Sequence, residues 1–370
     1  MHVRLLAIVV AAVACAAPPA AQPSVRSSPT ARDTVDRVVA ARMDSLHIAG
    51  LSLAVVRAGK VVKAEGYGAA DLEHGVAVTP RTVFKIGSVS KQFLAAGILL
   101  LAQDGKLAVD DPVARHIPGA PAAWQGITLR HFLTHTSGVQ REGPAFDPMK
   151  RQPDSVVVRS AFDLPLVFAT GSKYQYCNVC YFALADIIAR TSGKPWDTFL
   201  GERVFAPLGM TSTRATTTTD VVPNRARGYA WQNGRFVNAT EFVALRPSGA
   251  FLSTVLDLAQ WDAALYGDRV LAKASRDAMW TPVRLTDGTS FGYGFGWQID
   301  SLGGHRRTHH GGSLPGFSAG IVRYPDDSLT VIVLTNADAV RADNIAFRVA
   351  ELYLTASKAT RLSLESARKP

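Results

Sequence analysis

Cysteine is scarce in this sequence, with three residues among 370. Two of them, Cys177 and Cys180, have the C-x-x-C spacing found in zinc sites and redox enzymes. A structural zinc site needs a second Cys/His pair, and no thioredoxin-like pattern surrounds this one. The spacing therefore predicts two small, partly buried side chains, which an oxidising compartment would allow to be joined as a disulfide.

The sequence also lacks the features of several large protein classes. It contains no internal repeat, dense Lys/Arg cluster or nucleic-acid motif, so a formal charge of +10 indicates general solubility and no nucleic-acid partner. Beyond the N-terminus, no run is apolar enough to cross a membrane. Hydrophobic residues make up 47% and charged residues 19%, an ordinary globular composition that allows one large domain or two lobes.

The first 22 residues predict a secretion signal. His2 and Arg4 form a short basic start, residues 5–14 are apolar, and small residues suited to cleavage follow. We therefore expect a secreted or periplasmic protein. The residues just before Cys15 also resemble a lipoprotein processing site, so the alternative is a membrane-anchored lipoprotein with its lipid on Cys15.

Hydrophobic periodicity places strands towards both ends of the chain and an irregular, helix-containing region between them. It predicts helices over residues 31–48, 181–190, 256–265 and 342–353, and strands over residues 51–56, 61–68, 294–300, 306–310, 317–324 and 329–335. We therefore predict an α/β (α+β) fold. One antiparallel sheet is formed by both chain ends and flanked by helices, and a mostly α-helical lobe is inserted over about residues 107–285.

Ser88 and Lys91 lie three residues apart at the start of an apolar helix that ends at Asp104-Gly105. This spacing puts both side chains on one helix face. The helix N-terminus favours negative charge, and burial of Lys91 would lower its pKa and allow it to act as a base towards the Ser88 hydroxyl. Taken alone, the pattern fits an N-cap serine followed by a surface lysine better, so the rest of the chain decides.

Tyr176 and Asn178 lie on a loop before the predicted helix at residue 181. Two residues apart on an extended loop, both side chains can point the same way. A tyrosine near cations can relay a proton to a leaving group, and the asparagine can hydrogen-bond both the lysine and a substrate amide. An ordinary aromatic loop is the alternative.

His310, Gly312 and Ser313 form a third candidate element that leads into a strand. Glycine would let a substrate backbone lie close against the strand edge. The Ser313 N–H could pair with the Ser88 N–H as an oxyanion hole, and His310 would add a donor near the Tyr176 hydroxyl. A glycine-rich turn with a surface histidine is the alternative.

The three elements occur in the order S-x-x-K, Y-x-N and H-x-G. This order resembles the serine β-lactamase and penicillin-binding-protein-like superfamily, and more closely its class C branch with related esterases and D-amino peptidases. The resemblance covers roughly residues 30–355, so we predict a serine hydrolase domain over residues 30–356 and a C-terminal tail over residues 357–370. Three further segments match the family: residues 127–138, 207–210 and 330–336.

The resemblance implies a role for each candidate residue and no metal or organic cofactor. The catalytic residues would be Ser88, Lys91 and Tyr176, and the substrate-binding residues would be Asn178, His310, Gly312 and Ser313. In the family, His131 and His135 belong to a structural signature. His309 is a rival for the third element, but the spacing to Gly316-Phe317 favours its neighbour.

Two departures from the family pattern affect the expected substrate. His310 stands where penicillin-processing members carry lysine, and Cys177 stands where serine is usual. A mostly neutral histidine is a weaker partner for a carboxylate, so we expect a hydrolase of small esters or D-amino-acid peptides that works through an acyl-enzyme. The alternatives are a β-lactamase or D-Ala-D-Ala carboxypeptidase and, in another class, a non-catalytic cell-wall-binding protein. The expected partner is a small ester, amide or peptide substrate, with oligomeric state unknown.

Overall fold

The structure is a computed structural model that describes residues 29–150, 152–215, 219–242, 247–249 and 251–366, with side chains described from residue 34 to residue 355 within these ranges. The predicted signal segment, residues 1–22, and Cys15 lie outside the described residues. No helix within the described ranges has both the length and the apolar character needed to cross a bilayer.

Both ends of the chain contribute strands to one main sheet. In spatial order its seven strands are β11 (Gln298–Leu302), β12 (His305–Leu314), β13 (Phe317–Tyr324), β14 (Leu329–Thr335), β1 (Gly50–Arg57), β2 (Lys60–Asp71) and β3 (Val76–Ala77). Every neighbouring pair is antiparallel, and β1 pairs with β14 with Leu53 opposite Val333. The predicted antiparallel sheet from both chain ends is therefore confirmed.

Helices cover both faces of this sheet. Leu53 and Val55 of β1 pack towards α1 (Pro29–Leu46) and α10 (Ala342–Ser366), and Ala54 on the same strand points to the opposite face. Side chains alternate along a strand, so a strand covered on both sides is apolar at every position. This explains why β1 is hydrophobic along nearly its whole length.

The inserted lobe lies on the second face of the sheet and contains short helices and small strands. Its helices are α2 (Lys91–Gln103), α3 (Leu129–Leu133), α4 (Asp154–Arg159), α5 (Asn178–Ser192), α6 (Trp196–Leu200), α7 (Ala206–Leu208), α8 (Val255–Ala264) and α9 (Lys273–Met279). Its strands, with β4 just before α2, are β4 (Phe84–Lys85), β5 (Arg214–Ala215), β6 (Tyr229–Gln232), β7 (Arg235–Asn238), β8 (Phe251–Ser253), β9 (Val283–Arg284) and β10 (Ser290–Phe291). These small strands were not predicted from the sequence.

The predicted elements differ from the structure mainly at their ends. The strand predicted from residue 294 begins at residue 298, because the N–H of Gly294 bonds to Trp297 O at 2.8 Å and the N–H of Phe295 bonds to Met279 O at 3.0 Å. These bonds form a turn and remove both residues from the sheet. The last helix continues past residue 353, to Ser366.

Candidate active site

Ser88 lies on a single 3-10 turn, Gly87–Ser90, between β4 and α2. Gly87 has a φ of +51°, a left-handed conformation that favours glycine, and a Cβ there would lie 2.6 Å from the Ser313 nitrogen. Ser88 is partly exposed, whereas the helix behind it is buried along most of its length. The predicted position at the mouth of an apolar helix is confirmed, one turn before the helix itself.

Lys91 is fully buried beneath Ser88. Its Nζ lies 2.9 Å from Asn178 Oδ1, 3.0 Å from the Ser248 carbonyl oxygen and 3.4 Å from Ser88 Oγ. The two carbonyl oxygens can only accept, so they use two N–H bonds of the amine. A third hydrogen-bonding position of the Lys91 nitrogen faces the Ser88 hydroxyl, which can both donate and accept a hydrogen bond. The predicted Ser88–Lys91 pair is therefore present in geometry as well as in spacing.

Tyr176 packs between two cations. The Lys91 Nζ lies 4.6 Å from the ring centroid, and the Arg141 guanidinium lies 5.2 Å from it. A positively charged side chain at this distance interacts favourably with an aromatic ring. Arg141 was not among the residues selected from the sequence, because nothing in its local pattern marks it.

Asn178 is the first residue of α5, so it lies on a helix and not on the loop predicted from the sequence. The N–H groups of Asn178 and Val179 both bond to the Arg141 carbonyl oxygen, at 2.8 and 3.2 Å, which gives the helix start its partners. The Asn178 side chain bridges Lys91 on one side and the Glu142 carboxylate on the other. Glu142 is a further cleft residue that the sequence did not indicate.

Cys177 and Cys180 form a disulfide in the first turn of α5, and both are buried. The sequence predicted partly buried side chains and left the oxidised form open. The backbone N–H of Cys177 bonds to His135 Nδ1 at 3.0 Å. Tyr176 and Asn178 are thus attached to a stiff helix start on both sides of Cys177.

β12 passes directly against the Ser88 turn at Gly312. A Cβ at this position would collide with the Ile86 carbonyl oxygen and lie 3.0 Å from the Ser88 nitrogen. The sequence assigned Gly312 to close approach of a substrate, whereas the structure shows it permitting close approach of the strand to the Ser88 turn. This contact brings the backbone of Ser88 close to that of Gly312 and Ser313, the two segments predicted to supply the N–H groups of an oxyanion hole.

His310 does not act as the donor beside Tyr176 that the sequence predicted. Its Nε2 lies 2.9 Å from the Tyr293 hydroxyl, and its Nδ1 lies 2.6 Å from the Gly311 carbonyl oxygen. The rings of His310 and Tyr176 have centroids 6.2 Å apart. Both imidazole nitrogens are therefore engaged within the protein, because β12 turns this side chain inwards towards Tyr293.

The Tyr293 hydroxyl also lies 3.2 Å from His135 Nε2, so five groups form one chain, from the Cys177 N–H through three side chains to the Gly311 carbonyl oxygen. The two ends of the chain are a backbone N–H, which can only donate, and a backbone carbonyl oxygen, which can only accept, and these roles determine where each proton lies. The Cys177 N–H donates to His135 Nδ1, so His135 Nε2 carries the proton and donates to Tyr293. Tyr293 then donates to His310 Nε2, and His310 Nδ1–H donates to Gly311 O. We call His135, Tyr293 and His310 the relay.

Both histidines of the relay are held neutral. Burial, and secondarily the Lys91 charge, lower the pKa of His310 to about 3. Burial and the same lysine hold the pKa of His135 well below its usual range. A neutral imidazole has one nitrogen that donates a hydrogen bond and one that accepts, which is what each histidine does in the relay.

The other two histidines considered from the sequence lie away from this centre. His309 points to the opposite side of β12, 3.3 Å from an Asp300 oxygen and against Phe347. His131 bonds through Nδ1 to Thr128 at the N-cap of α3. The choice of His310 over His309 for the cleft is consistent with this placement.

A cleft of about 650 Å³ brings the candidate residues together. Ser88, Tyr176, Asn178, His310, Gly312 and Ser313 line it, and Lys91 contacts Ser88 from beneath. Two arginines, Arg141 and Arg341, also line it.

The family follows from comparison with known sequences. A sequence profile of the beta-lactamase family matches residues 35–354. The chain belongs to this family.

Its relatives include penicillin-binding proteins, and an amidase shares its fold. Penicillin-binding protein 4* of Bacillus subtilis (strain 168) is 32% identical over 310 residues, which cover 76% of this chain and 68% of the relative. The octameric penicillin-binding protein homologue of Pyrococcus abyssi superposes with a TM-score of 0.79 at 26% identity, over 88% of this chain and 77% of the other. The D-amino acid amidase of Ochrobactrum anthropi SV3, complexed with L-phenylalanine amide, shares the fold with a TM-score of 0.77 at 24% identity, over 90% and 99% of the two chains.

The relay is the main feature of the site that could not be recognised in the sequence. His135 belongs to the segment already identified as a structural signature, and His310 to the third element, but Tyr293 lies in neither. It is buried and comes from the turn before β11, 158 residues after His135. The two histidines could be selected by type, whereas their shared partner could be found only from the folded chain.

Proposed function

We propose that this protein is a serine hydrolase that forms an acyl-enzyme on Ser88 and acts on small neutral esters or on D-amino-acid peptides and amides. Membership of the beta-lactamase family supports the chemistry in general. The observation that carries the proposal is the environment of the Lys91 nitrogen, in which two carbonyl acceptors and the Ser88 hydroxyl surround one buried amine.

In acylation, Ser88 Oγ attacks the substrate carbonyl carbon and its proton passes to Lys91. With two N–H bonds directed at Asn178 and Ser248, a neutral Lys91 keeps its lone pair for the serine proton. Complete burial disfavours the ammonium form and so favours this arrangement. The distance of 3.4 Å is long for proton transfer, as is usual before a substrate tightens the site.

Tyr176 is the group proposed to pass a proton to the leaving group. Its ring lies against Lys91 and Arg141, and in this proposal its hydroxyl exchanges a proton with the lysine. The N–H groups of Ser88 and Ser313 hold the carbonyl oxygen as negative charge develops on it. Water then attacks the acyl-enzyme, and the acyl group leaves as the acid while Ser88 regains its proton.

The preference for neutral groups rests on His310. A neutral imidazole with both nitrogens engaged offers no cation at the position where penicillin-processing members carry lysine. A substrate carboxylate placed there would lose its hydration without gaining a charged partner. Neutral esters and amides do not carry that cost.

A second candidate is a β-lactamase or D-Ala-D-Ala carboxypeptidase. Two cations line the cleft elsewhere, at Arg141 and Arg341, and either could receive a substrate carboxylate. The relatives named penicillin-binding proteins favour this candidate as well. The third candidate, a non-catalytic cell-wall-binding protein, predicts retained affinity for peptidoglycan in a Ser88→Ala variant.

A hydrolysis panel tests these candidates on one enzyme preparation. It compares short-chain neutral esters, D-amino acid amides, a chromogenic cephalosporin and D-Ala-D-Ala peptides at one pH and ionic strength. We expect the neutral esters or D-amino acid amides to give the highest kcat/KM and Ser88→Ala to abolish every activity. A higher kcat/KM for the cephalosporin or the D-Ala-D-Ala peptides would establish the second candidate instead.

Export belongs to the same proposal. The N-terminal segment predicts cleavage near residue 22, with lipidation of Cys15 as the alternative. Mass spectrometry of the mature N-terminus separates the two outcomes, because a lipidated protein would begin at Cys15 and carry the mass of its acyl chains.

A further inference from the structure

A second pocket, of about 330 Å³, lies beyond the end of β12 and is distinct from the cleft. Four segments form its walls: Lys85 on β4, residues 225–228, residues 238–241, and Pro315 and Phe317 at the turn between β12 and β13. Lys85 lies over the Phe317 ring, with its nitrogen 5.6 Å from the ring centroid. We call this the Lys85 pocket.

The charges of the Lys85 pocket are arranged by depth. The side chains of Lys85 and Arg225 are 13% and 18% exposed, whereas Glu241, which pairs with both, is 52% exposed. Arg227 and its partner Glu73 are both half exposed at the rim. Three cations therefore face two carboxylates, and the innermost charged groups are positive. Burial lowers the pKa of Lys85, with Glu241 acting in the opposite sense.

An arrangement with buried cations and an exposed carboxylate suits an exchange of partners. Glu241 can turn towards solvent, since it is the half-exposed member of both pairs, but Lys85 and Arg225 would then be left largely buried without it. An incoming carboxylate would then take its place between Lys85 and Arg225, with the planar guanidinium providing paired donors. Since both cations are largely buried, the incoming carboxylate must replace the contacts that Glu241 gives up.

The Lys85 pocket is connected to the catalytic cleft by the chain itself. Gly312, Ser313 and Leu314 line the cleft, and the next residue, Pro315, lines the pocket. Lys85 precedes Ser88 by three residues, so their Cα atoms lie within about 11 Å. The pairing of β11 with β12 ends at His309, so the stretch of β12 from Gly311 to Leu314 extends beyond its neighbour. A peptide lying along that edge would reach the pocket.

We propose that the Lys85 pocket binds a carboxylate on a peptide substrate whose scissile bond lies at Ser88. This inference rests on the proposed function and adds a substrate class, namely acidic peptides that span both sites. The carboxylate lies outside the cleft, so the preference for neutral groups beside His310 is unaffected.

The test uses D-amino-acid peptides that carry a single Glu or Gln one, two or three residues from the scissile bond, in one set on the acyl side and in another on the leaving side. For at least one placement we expect the Glu peptide to have a kcat/KM about tenfold or more above its Gln counterpart, the scale of one charge-assisted hydrogen bond. Arg225→Gln should reduce this ratio to near one, and added salt should reduce it in the wild type. Hydrolysis of a short neutral ester should be unchanged.

Arg235→Gln is the matched control, because it removes the same charge at an exposed position on β7 outside the pocket. It should leave the Glu/Gln ratio as in the wild type. Equal activity on Glu and Gln peptides at every placement would overturn the proposal, and so would an Arg225→Gln variant that loses activity on both peptides and the ester alike.

Binding to the Ser88→Ala variant separates this inference from the proposed function. Calorimetry should show the Glu peptide binding about tenfold or more tightly than the Gln peptide, with the difference removed by Arg225→Gln. If the wild type cleaves no substrate yet this difference is present, the proposed function fails and the pocket stands. If esters are cleaved and the two peptides bind equally, the pocket assignment fails alone.

Discussion

The cleft has two walls: the Lys91 wall contains Ser88, Lys91, Tyr176 and Asn178, and the opposite wall contains His310 of the relay. Each wall contains a buried titratable nitrogen, and the two nitrogens have different surroundings. Lys91 Nζ faces two carbonyl oxygens and one hydroxyl, so its third direction ends on a group that can give up a proton. His310 belongs to a closed chain in which every donor has an acceptor and every acceptor a donor.

This difference supports the roles proposed for Lys91 and His310 better than burial does. Lys91 is fully buried and His310 is 2% exposed, so exposure alone gives them the same assignment. The hydroxyl that Lys91 faces belongs to Ser88, which is partly exposed in the cleft and can meet a substrate, whereas the hydroxyl that His310 faces belongs to the fully buried Tyr293. We therefore assign proton transfer to the Lys91 wall and positioning to the relay.

The largest effect should follow Lys91→Arg. Arginine is permanently charged and cannot accept the Ser88 proton at any working pH, so kcat/KM should fall by about 10²–10⁴-fold while the variant stays folded. Lys63→Arg is the matched control, because Lys63 on β2 is also buried but pairs with Asp36 of α1, away from the cleft. Near-normal turnover of Lys91→Arg on the best ester would remove Lys91 from the proton path.

A smaller effect should follow Tyr293→Phe, which keeps the ring and removes the central hydroxyl of the relay. His135 Nε2–H and His310 Nε2 would both lose their partner in a buried site, at a cost of about 1–3 kcal/mol each. We expect a lower melting temperature and a loss of roughly tenfold in kcat, since the relay joins the Cys177 loop to β12. Tyr324→Phe, a buried change on the opposite sheet face, should leave kcat unaltered.

The neutral state of His310 predicts a pH dependence of stability. Its pKa is about 3 in the folded protein and about 6.5 when unfolded, so the unfolded chain binds more protons between these values. The stability contributed by neutral His310 is complete above pH 6.5 and is lost as the pH falls towards 3. Urea unfolding at pH 4 and pH 7 should therefore show a smaller drop for His310→Asn than for the wild type. An equal drop in both proteins would contradict a neutral His310, and the exposed His74→Asn should behave as the wild type.

The smallest effect on activity should follow removal of the disulfide in Cys177→Ser/Cys180→Ser. A bond closing so short a loop contributes about 2 kcal/mol in the chain-entropy estimate, so stability should fall by that order. The Asn178 and Val179 N–H groups remain bonded to Arg141 O, so Tyr176 and Asn178 should keep their places and kcat/KM should change by less than roughly threefold. A collapse of activity would show that the disulfide, and not the Arg141 carbonyl, positions the helix start.

Much of the Lys91 wall could be predicted from the sequence, because its residues are close in the chain or belong to recognisable spacings. Ser88 and Lys91 are three residues apart, and Tyr176 and Asn178 are two apart. The sheet followed from apolar runs at both chain ends, since period and composition alone indicate buried strands.

The contacts of the relay could not be predicted, although His310 itself was selected from the sequence, because they join residues separated by up to 158 positions. Gly312 illustrates the limit. A glycine at this position indicated that another backbone comes close to β12. Whether that backbone belongs to a substrate or to the Ser88 turn depends on how β12 crosses the turn. The small strands of the inserted lobe were missed for a related reason, since two to four residues carry too little periodicity to be recognised.

Covalent labelling tests the central claim, that Ser88 is the nucleophile and Lys91 its base, most directly. After treatment with a fluorophosphonate, peptide mass spectrometry should place a single adduct on Ser88. Ser88→Ala should give no adduct, and Lys91→Arg should be labelled at least about 10²-fold more slowly. An adduct on another residue, together with hydrolytic activity retained in Ser88→Ala, would contradict the account.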